Sequence, residues 1–401
     1  MYKRRLMAAI TVFCLAFGLT ACKPKDTPTP PEKPILDAYR EQYATLEAFS
    51  MLSEAQQENY DALFTAVTER LDVDTVVQEG ETSSAEHLGL RVELPQALSD
   101  GMEVAALFNA FLADNPQFFY IGSTYTYEGY KVGDRAHYNV LYLTLTMNAT
   151  ERKEAAKKLN EAVDTVLVGL TEKTDFEKEL AIHDRLIARC VYDDKAAASE
   201  MPDAEYPFAF TAYGALVEGK AVCEGYARAF QLLCRRAGLL CVTVNGVDLS
   251  NNTAQMWTLV TVDGESYHVD VTWDDQLDTA LHIYFNQTTE EIALTHRLDA
   301  DSVGKDCTAT AAGYYRNTGR YQERYDREQI AKAVAAEVQA GATVVELRFP
   351  PERLASIGLF VQNRTWFSET VDAYLPEGVT LWDYDFHLYS PYGVLVLCRK
   401  D

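Results

Sequence analysis

Positive charge is scarce in this sequence. Lys and Arg number 36 against 60 Asp and Glu over 401 residues, a formal net charge of −24. A phosphate backbone is repelled by such a surface, which argues against nucleic-acid binding. The acidic excess fits simple solvation of an exposed protein. Paired metal-ligand cysteines are also missing. None of the eight cysteines forms a CxxC pair, and there is no zinc-type Cys/His cluster, so no cofactor is implied. The apolar run Leu6–Leu19 is too short for a typical spanning helix. Internal repeats are absent. The six cysteines beyond Cys22 permit disulfides, but their spacing does not describe a small stapled scaffold. Cys234, on an apolar helix face, and Cys241, in an apolar strand, are expected to be buried as small hydrophobes.

What is present at the start is a targeting pattern. Lys3, Arg4 and Arg5 precede the apolar run, which ends in Leu19-Thr20-Ala21-Cys22. This resembles the bacterial lipobox. The resemblance implies cleavage after residue 21 and a lipid on Cys22, hence export and anchoring to the cell membrane. Residues 22–34 then form a Pro-rich tether.

Residues 35–150 have the pattern of a small α+β unit. Ser53-x-x-Gln56 is a capping box that opens a helix with an apolar stripe of Tyr60, Leu63, Phe64, Val67 and Leu71. A polar stretch at 80–86 predicts a loop, and a second helix is expected over about 102–113. Leu141, Leu143 and Leu145 alternate with Tyr142 and Thr144, as in a half-buried strand. Residues 150–170 predict a charged amphipathic helix, and Thr174-x-x-Glu177 starts the next one. His183 falls near that helix's inner side, where a hydrogen-bonded packing role is expected. The C-terminal residues 305–401 predict a second small unit, α/β in type: helix over 327–340, strand over 343–349, helix over about 351–361, and strands over 380–387 and 392–399.

The chemistry concentrates between 208 and 299. Cys223 precedes a helix whose Tyr226, Phe230, Leu233, Cys234 and Ala237 share one face, with Gly238 as its stop. A cysteine at a helix N-terminus sits where the backbone dipoles favour thiolate. The unpaired N–H groups there can also stabilise an oxyanion. Downstream, Asp263-Gly264 predicts a tight hairpin between strands over 255–262 and 265–272. In that register Trp257 faces Asp270, and Gln255 and Asp270 become diagonal neighbours about 7–8 Å apart.

The segments Ala212-Tyr213-Gly214-Ala215-Leu216 and Cys223-Glu224-Gly225-Tyr226-Ala227 resemble the nucleophile region of bacterial transglutaminase-like domains. Met256-Trp257-Thr258-Leu259-Val260 and Tyr267-His268-Val269-Asp270-Val271-Thr272-Trp273-Asp274-Asp275 resemble the family's hairpin. Ile283-Tyr284-Phe285-Asn286, His296, Ile182-His183-Asp184 and Tyr192-Asp193 continue the likeness. The resemblance implies an α+β fold with a papain-like core over 151–304, in which a helix bearing the cysteine packs on an antiparallel sheet. It also implies a Cys-His-Asp triad that attacks amide carbonyls. Cys223 and Asp270 match two of its positions, but the histidine position holds Gln255.

An amide cannot take the thiol proton near neutral pH. The loss of one triad member typically costs on the order of 10⁴–10⁶ in turnover. Without an imidazolium partner, Cys223 is expected to titrate near its free value of about 8.5. His268 pairs with Leu259 in this register, roughly 13 Å along the strand from Gln255, and a packing role is expected for it. His282 and His296 cannot be placed from the sequence. Trp257 and Tyr213 are candidates for the cleft, although Trp257, Trp273 and Tyr226 fit core positions equally. Asp274 and Asp275 are expected to cap or turn the chain and not to bind metal. Three functions follow: a catalytically silent domain that binds a peptide or cell-wall ligand, an active cysteine hydrolase or acyl transferase with another base, or a purely structural surface protein. A filled cleft, and with it a buried Cys223, would mark the third.

Overall fold

The computed structural model describes residues 47–73, 76–78, 86–276, 279–300, 302 and 305–400. The basic and apolar leader, the Cys22 position, the tether and most of the 80–86 stretch lie outside them. Among the described residues, no helix is long and apolar enough to cross a membrane.

Helix starts follow the capping residues. Ser53 and Thr174 each accept from the third residue of their helices, Glu54–Glu69 and Asp175–Ile187, and Gln56 and Glu177 reach back to complete the boxes. The Glu54–Glu69 helix turns Tyr60, Leu63, Phe64 and Val67 into the core. It packs with the Gly101–Asp114 helix against a four-stranded sheet, ordered Val76–Gln78, Glu86–Leu98, Arg135–Leu145 and Ile121–Val132. Leu141, Leu143 and Leu145 point inward there, as their alternation requires.

The second sheet holds the chemistry. Its order is His296–Leu298, Cys241–Asp248, Ala254–Val262 and Glu265–Val269, all antiparallel. The helix Cys223–Arg236 packs across it, burying Tyr226, Phe230, Leu233 and Cys234. Asp263 and Gly264 both have positive φ, 50° and 85°, which matches the twist of a two-residue hairpin. The register is the expected one: Leu259 pairs with His268 and Thr258 with Val269. The second strand stops sooner than the pattern predicts. Asp270 caps a short helix, Val271–Asp274, so Thr272 never reaches a position opposite Gln255.

The units expected at 35–150 and 151–304 share one hydrophobic core, which runs from Tyr60 and Phe111 through Phe230 and Trp257. The Cys223 helix also closes the end of the Gly101–Asp114 helix. Arg228, Gln231 and Arg235 donate to the carbonyls of Leu112, Ala113 and Asp114, which have no partner within their own helix.

The C-terminal unit has its own core, built from Ile330, Val334, Leu347, Phe360, Phe367, Leu395 and Leu397. Its three-stranded sheet is ordered Val344–Arg348, Val394–Arg399 and Tyr384–Tyr389. A helix at Arg364–Asp372 joins those expected from the pattern. The central strand serves two cores, because Val394 and Val396 face the first while Leu395 and Leu397 face the second.

Candidate active site

Cys223 is the first residue of its helix and remains partly exposed. The preceding Val222 is extended and offers no side-chain cap, so the helix's first N–H groups are not consumed by one. Gly225 is required for this placement. A Cβ there would stand 2.6 Å from the Ala209 carbonyl oxygen and 2.7 Å from the Ala221 Cβ.

Asp270 is fully buried. Its Oδ1 accepts the Trp273 N–H at 3.1 Å, and its Oδ2 accepts the Gln255 amide at 2.8 Å. The diagonal pairing therefore brings Gln255 and Asp270 together as the register implies. Oδ2 has a second partner, His296 Nε2, at 3.1 Å. The sequence could not place this imidazole, which enters from an edge strand 26 residues downstream. It is enclosed by Trp257, Trp273 and Tyr284, with ring centroids 5.0, 4.6 and 5.7 Å away.

His296 does not serve the sulfur. Its Nδ1 lies 2.8 Å from Thr295 Oγ1, which is 2.6 Å from the Tyr392 hydroxyl. The other central imidazoles are equally committed. His268 Nδ1 accepts the Trp257 indole N–H and its Nε2 meets Thr289, while His183 and His282 bond carboxylates through both nitrogens. Burial holds His268 down to about 4, so it is neutral, in keeping with a packing role.

Burial pushes the Cys223 thiol up to about 12, and the Asp270 charge adds to the rise. The backbone N–H groups of Met256 and Glu224 oppose it without prevailing. This corrects the expectation of a near-free value: the helix terminus does not offset desolvation when no cation stands beside the sulfur. The two cleft candidates both lie inside the fold. Trp257 is 1% exposed, its ring packed in the core and its indole tied to His268. Tyr213 is buried and stacks on Phe119 at 4.6 Å. Asp275 accepts the Tyr226 hydroxyl, and Asp274 accepts the Tyr284 N–H, as turn-forming residues do.

A second polar cluster was not foreseen. His183 Nε2 meets Asp274 at 3.2 Å and its Nδ1 meets Asp184 at 3.0 Å. His282 Nε2 meets the same Asp184 oxygen at 3.0 Å, and its Nδ1 meets Glu346 of the C-terminal sheet at 2.7 Å. The adjacent His183-Asp184 pair was visible in the sequence, but its partners arrive from distant segments.

A helix-borne cysteine is thus packed over an antiparallel hairpin that carries an acid at its end. Residues 163–273 match the family model of the transglutaminase-like superfamily. Kyphoscoliosis peptidase of Mus musculus is 32% identical over 149 residues, covering 34% of this chain and 22% of that protein. The Homo sapiens protein of the same name is 31% identical over 134 residues, covering 31% and 20%. The chain thus spans about a fifth of the length of these curated relatives. Among solved structures, a TGase is 14% identical with a TM-score of 0.24, covering 46% of this chain and 50% of that one. A candidate cysteine protease from Cytophaga hutchinsonii is 12% identical with a TM-score of 0.24, covering 38% and 63%.

Proposed function

We propose that this chain is an exported lipoprotein, anchored through Cys22, whose transglutaminase-like domain no longer turns over substrate and keeps its cleft to bind an extended peptide or cell-wall ligand. One observation carries the reading: the group bonded to Asp270 on the hairpin is the Gln255 amide, and among the described residues both ring nitrogens of His183, His268, His282 and His296 are bonded to groups other than Cys223. An amide can hold the acid in place but cannot relay a proton. Cys223 as a residue is not fully buried, as it would be in a completely filled cleft, although its thiol is desolvated.

The test is alkylation of Cys223 at neutral pH. The unmodified chain should react slowly, and Gln255→His should accelerate it by about 100-fold or more as an imidazolium lowers the thiol's pKa. A fast rate in the unmodified chain would remove the silent-domain reading. The competing reading, an active enzyme, draws on His296 beside Asp270. It requires turnover of glutamine-containing peptides that Cys223→Ala abolishes. Anchoring is tested separately: the chain should partition into detergent, and Cys22→Ala should release it to the aqueous phase.

A further inference from the structure

The cluster around Asp184 shares no residue with the Cys223 constellation. His183 Nδ1 and His282 Nε2 converge on one oxygen of Asp184, each at 3.0 Å. One ligand atom from each of the three residues fits within a 4.8 Å span. Ligand atoms around a tetrahedral zinc stand about 3.3 Å apart, since each lies about 2.0–2.1 Å from the ion. Both imidazole nitrogens already stand at 3.0 Å from the Asp184 oxygen, close to that spacing, and drawing the two nitrogens together completes a coordination triangle.

The opposite ring nitrogens carry the second half of the argument. His183 Nε2 is held by Asp274, and His282 Nδ1 by Glu346, both carboxylates buried. A carboxylate behind each ligating imidazole fixes the ring and strengthens its donor nitrogen, as in established zinc sites. Tyr315 in turn donates to Glu346 at 2.8 Å, and the Tyr284 N–H donates to Asp274 at 2.9 Å. Tyr314 stacks on His282 at 3.7 Å and fixes its plane. Among the described residues, no Lys or Arg pairs with Asp184, Asp274 or Glu346, so the trio of carboxylates lacks a resident Lys or Arg counter-ion.

There is also a way in. A pocket of about 420 Å³ is lined by Asp184, His282, Tyr314 and Glu346, and the Asp184 side chain is 44% exposed. We propose that His183, Asp184 and His282 form a binding site for a zinc-class divalent cation, with its remaining coordination position open to this pocket. The mixed imidazole and carboxylate donors suit zinc and its neighbours better than calcium or magnesium. Because Glu346 lies on the C-terminal sheet, the cation would also tie that unit to the transglutaminase-like core.

The test uses the untagged full chain, stripped with chelator and titrated with Co²⁺ and then Zn²⁺. One equivalent of Co²⁺ should give the visible bands of a low-coordinate site, and one equivalent of Zn²⁺ should bleach them. His282→Gln and Asp184→Ala should each weaken binding at least 100-fold, and Glu346→Gln about 10–100-fold. Cys223→Ala should leave it unchanged. Absence of saturable binding at about 100 μM metal, or binding unaltered in folded His282→Gln, would overturn the site. Should that variant fail to fold, X-ray absorption at the zinc edge of the unmodified chain decides. Two imidazole nitrogens at about 2.0 Å uphold the assignment, and a thiolate or all-oxygen shell overturns it.

Discussion

At Cys223 two opposing influences act on one proton. The helix start and the N–H groups of Met256 and Glu224 favour the anion, whereas burial and the Asp270 carboxylate favour the thiol and win. With the thiol held at about 12, only about one molecule in 10⁵ is thiolate at pH 7. The alkylation rate should therefore climb roughly tenfold per pH unit from pH 7 to pH 10 without levelling. A plateau near pH 8.5 would contradict the burial argument. Asp270→Asn bears on the same site from the other side. It removes a charge that destabilises the thiolate, so alkylation should quicken, while the Gln255 amide loses the carboxylate to which it donates. A slower rate would show that the carboxylate does not act on the sulfur electrostatically.

At the level of elements, the Cys223 helix is positioned by close backbone approach at one end and by side-chain hydrogen bonds at the other. Alanine in place of glycine within a helix ordinarily stabilises by about 0.5–1 kcal/mol. Gly225→Ala should instead destabilise by about 1–3 kcal/mol, because the new Cβ meets the Ala209 carbonyl oxygen at 2.6 Å. The sign of the shift in a denaturant melt checks this. At the far end, buried Arg235 donates to the carbonyls of Asp114 and Cys241 and faces the Asp114 carboxylate at 3.7 Å. Arg235→Met should cost on the order of 3–5 kcal/mol, since it takes the cation from the buried Asp114 carboxylate and the guanidinium donors from two carbonyls. A loss below about 1 kcal/mol would show that the two helices do not depend on this contact.

Across the whole molecule, His282 joins the core to the C-terminal sheet through Glu346 and to the Asp175–Ile187 helix through Asp184. Burial disfavours its charge, yet the two carboxylates raise it from 6.5 to about 9. Its folded-state pKa is thus above its unfolded one. The contribution is complete below about pH 6.5 and is lost as pH rises through about 9. In chelator-treated protein, stability should fall by on the order of 2–3 kcal/mol across that window from this group. Glu346→Gln should flatten the fall, and an unchanged slope would sink the assignment.

Helix starts, the hairpin register and the alternating strands were legible in the sequence because they are local: Ser53 with Gln56, Asp263-Gly264, Leu141 with Leu143 and Leu145. That the Gln255 side chain cannot take up a proton was legible too, since an amide's chemistry does not depend on what surrounds it. The Cys223 thiol was not, because its proton affinity depends on burial that only packing supplies. Nor were the partners of His296, His183 and His282. Contacts such as His296 with Asp270 and His282 with Glu346 join residues 26 and 64 positions apart. Periodicity and capping extend over a few residues, so long-range pairings of this kind are set when the sheets pack and not before.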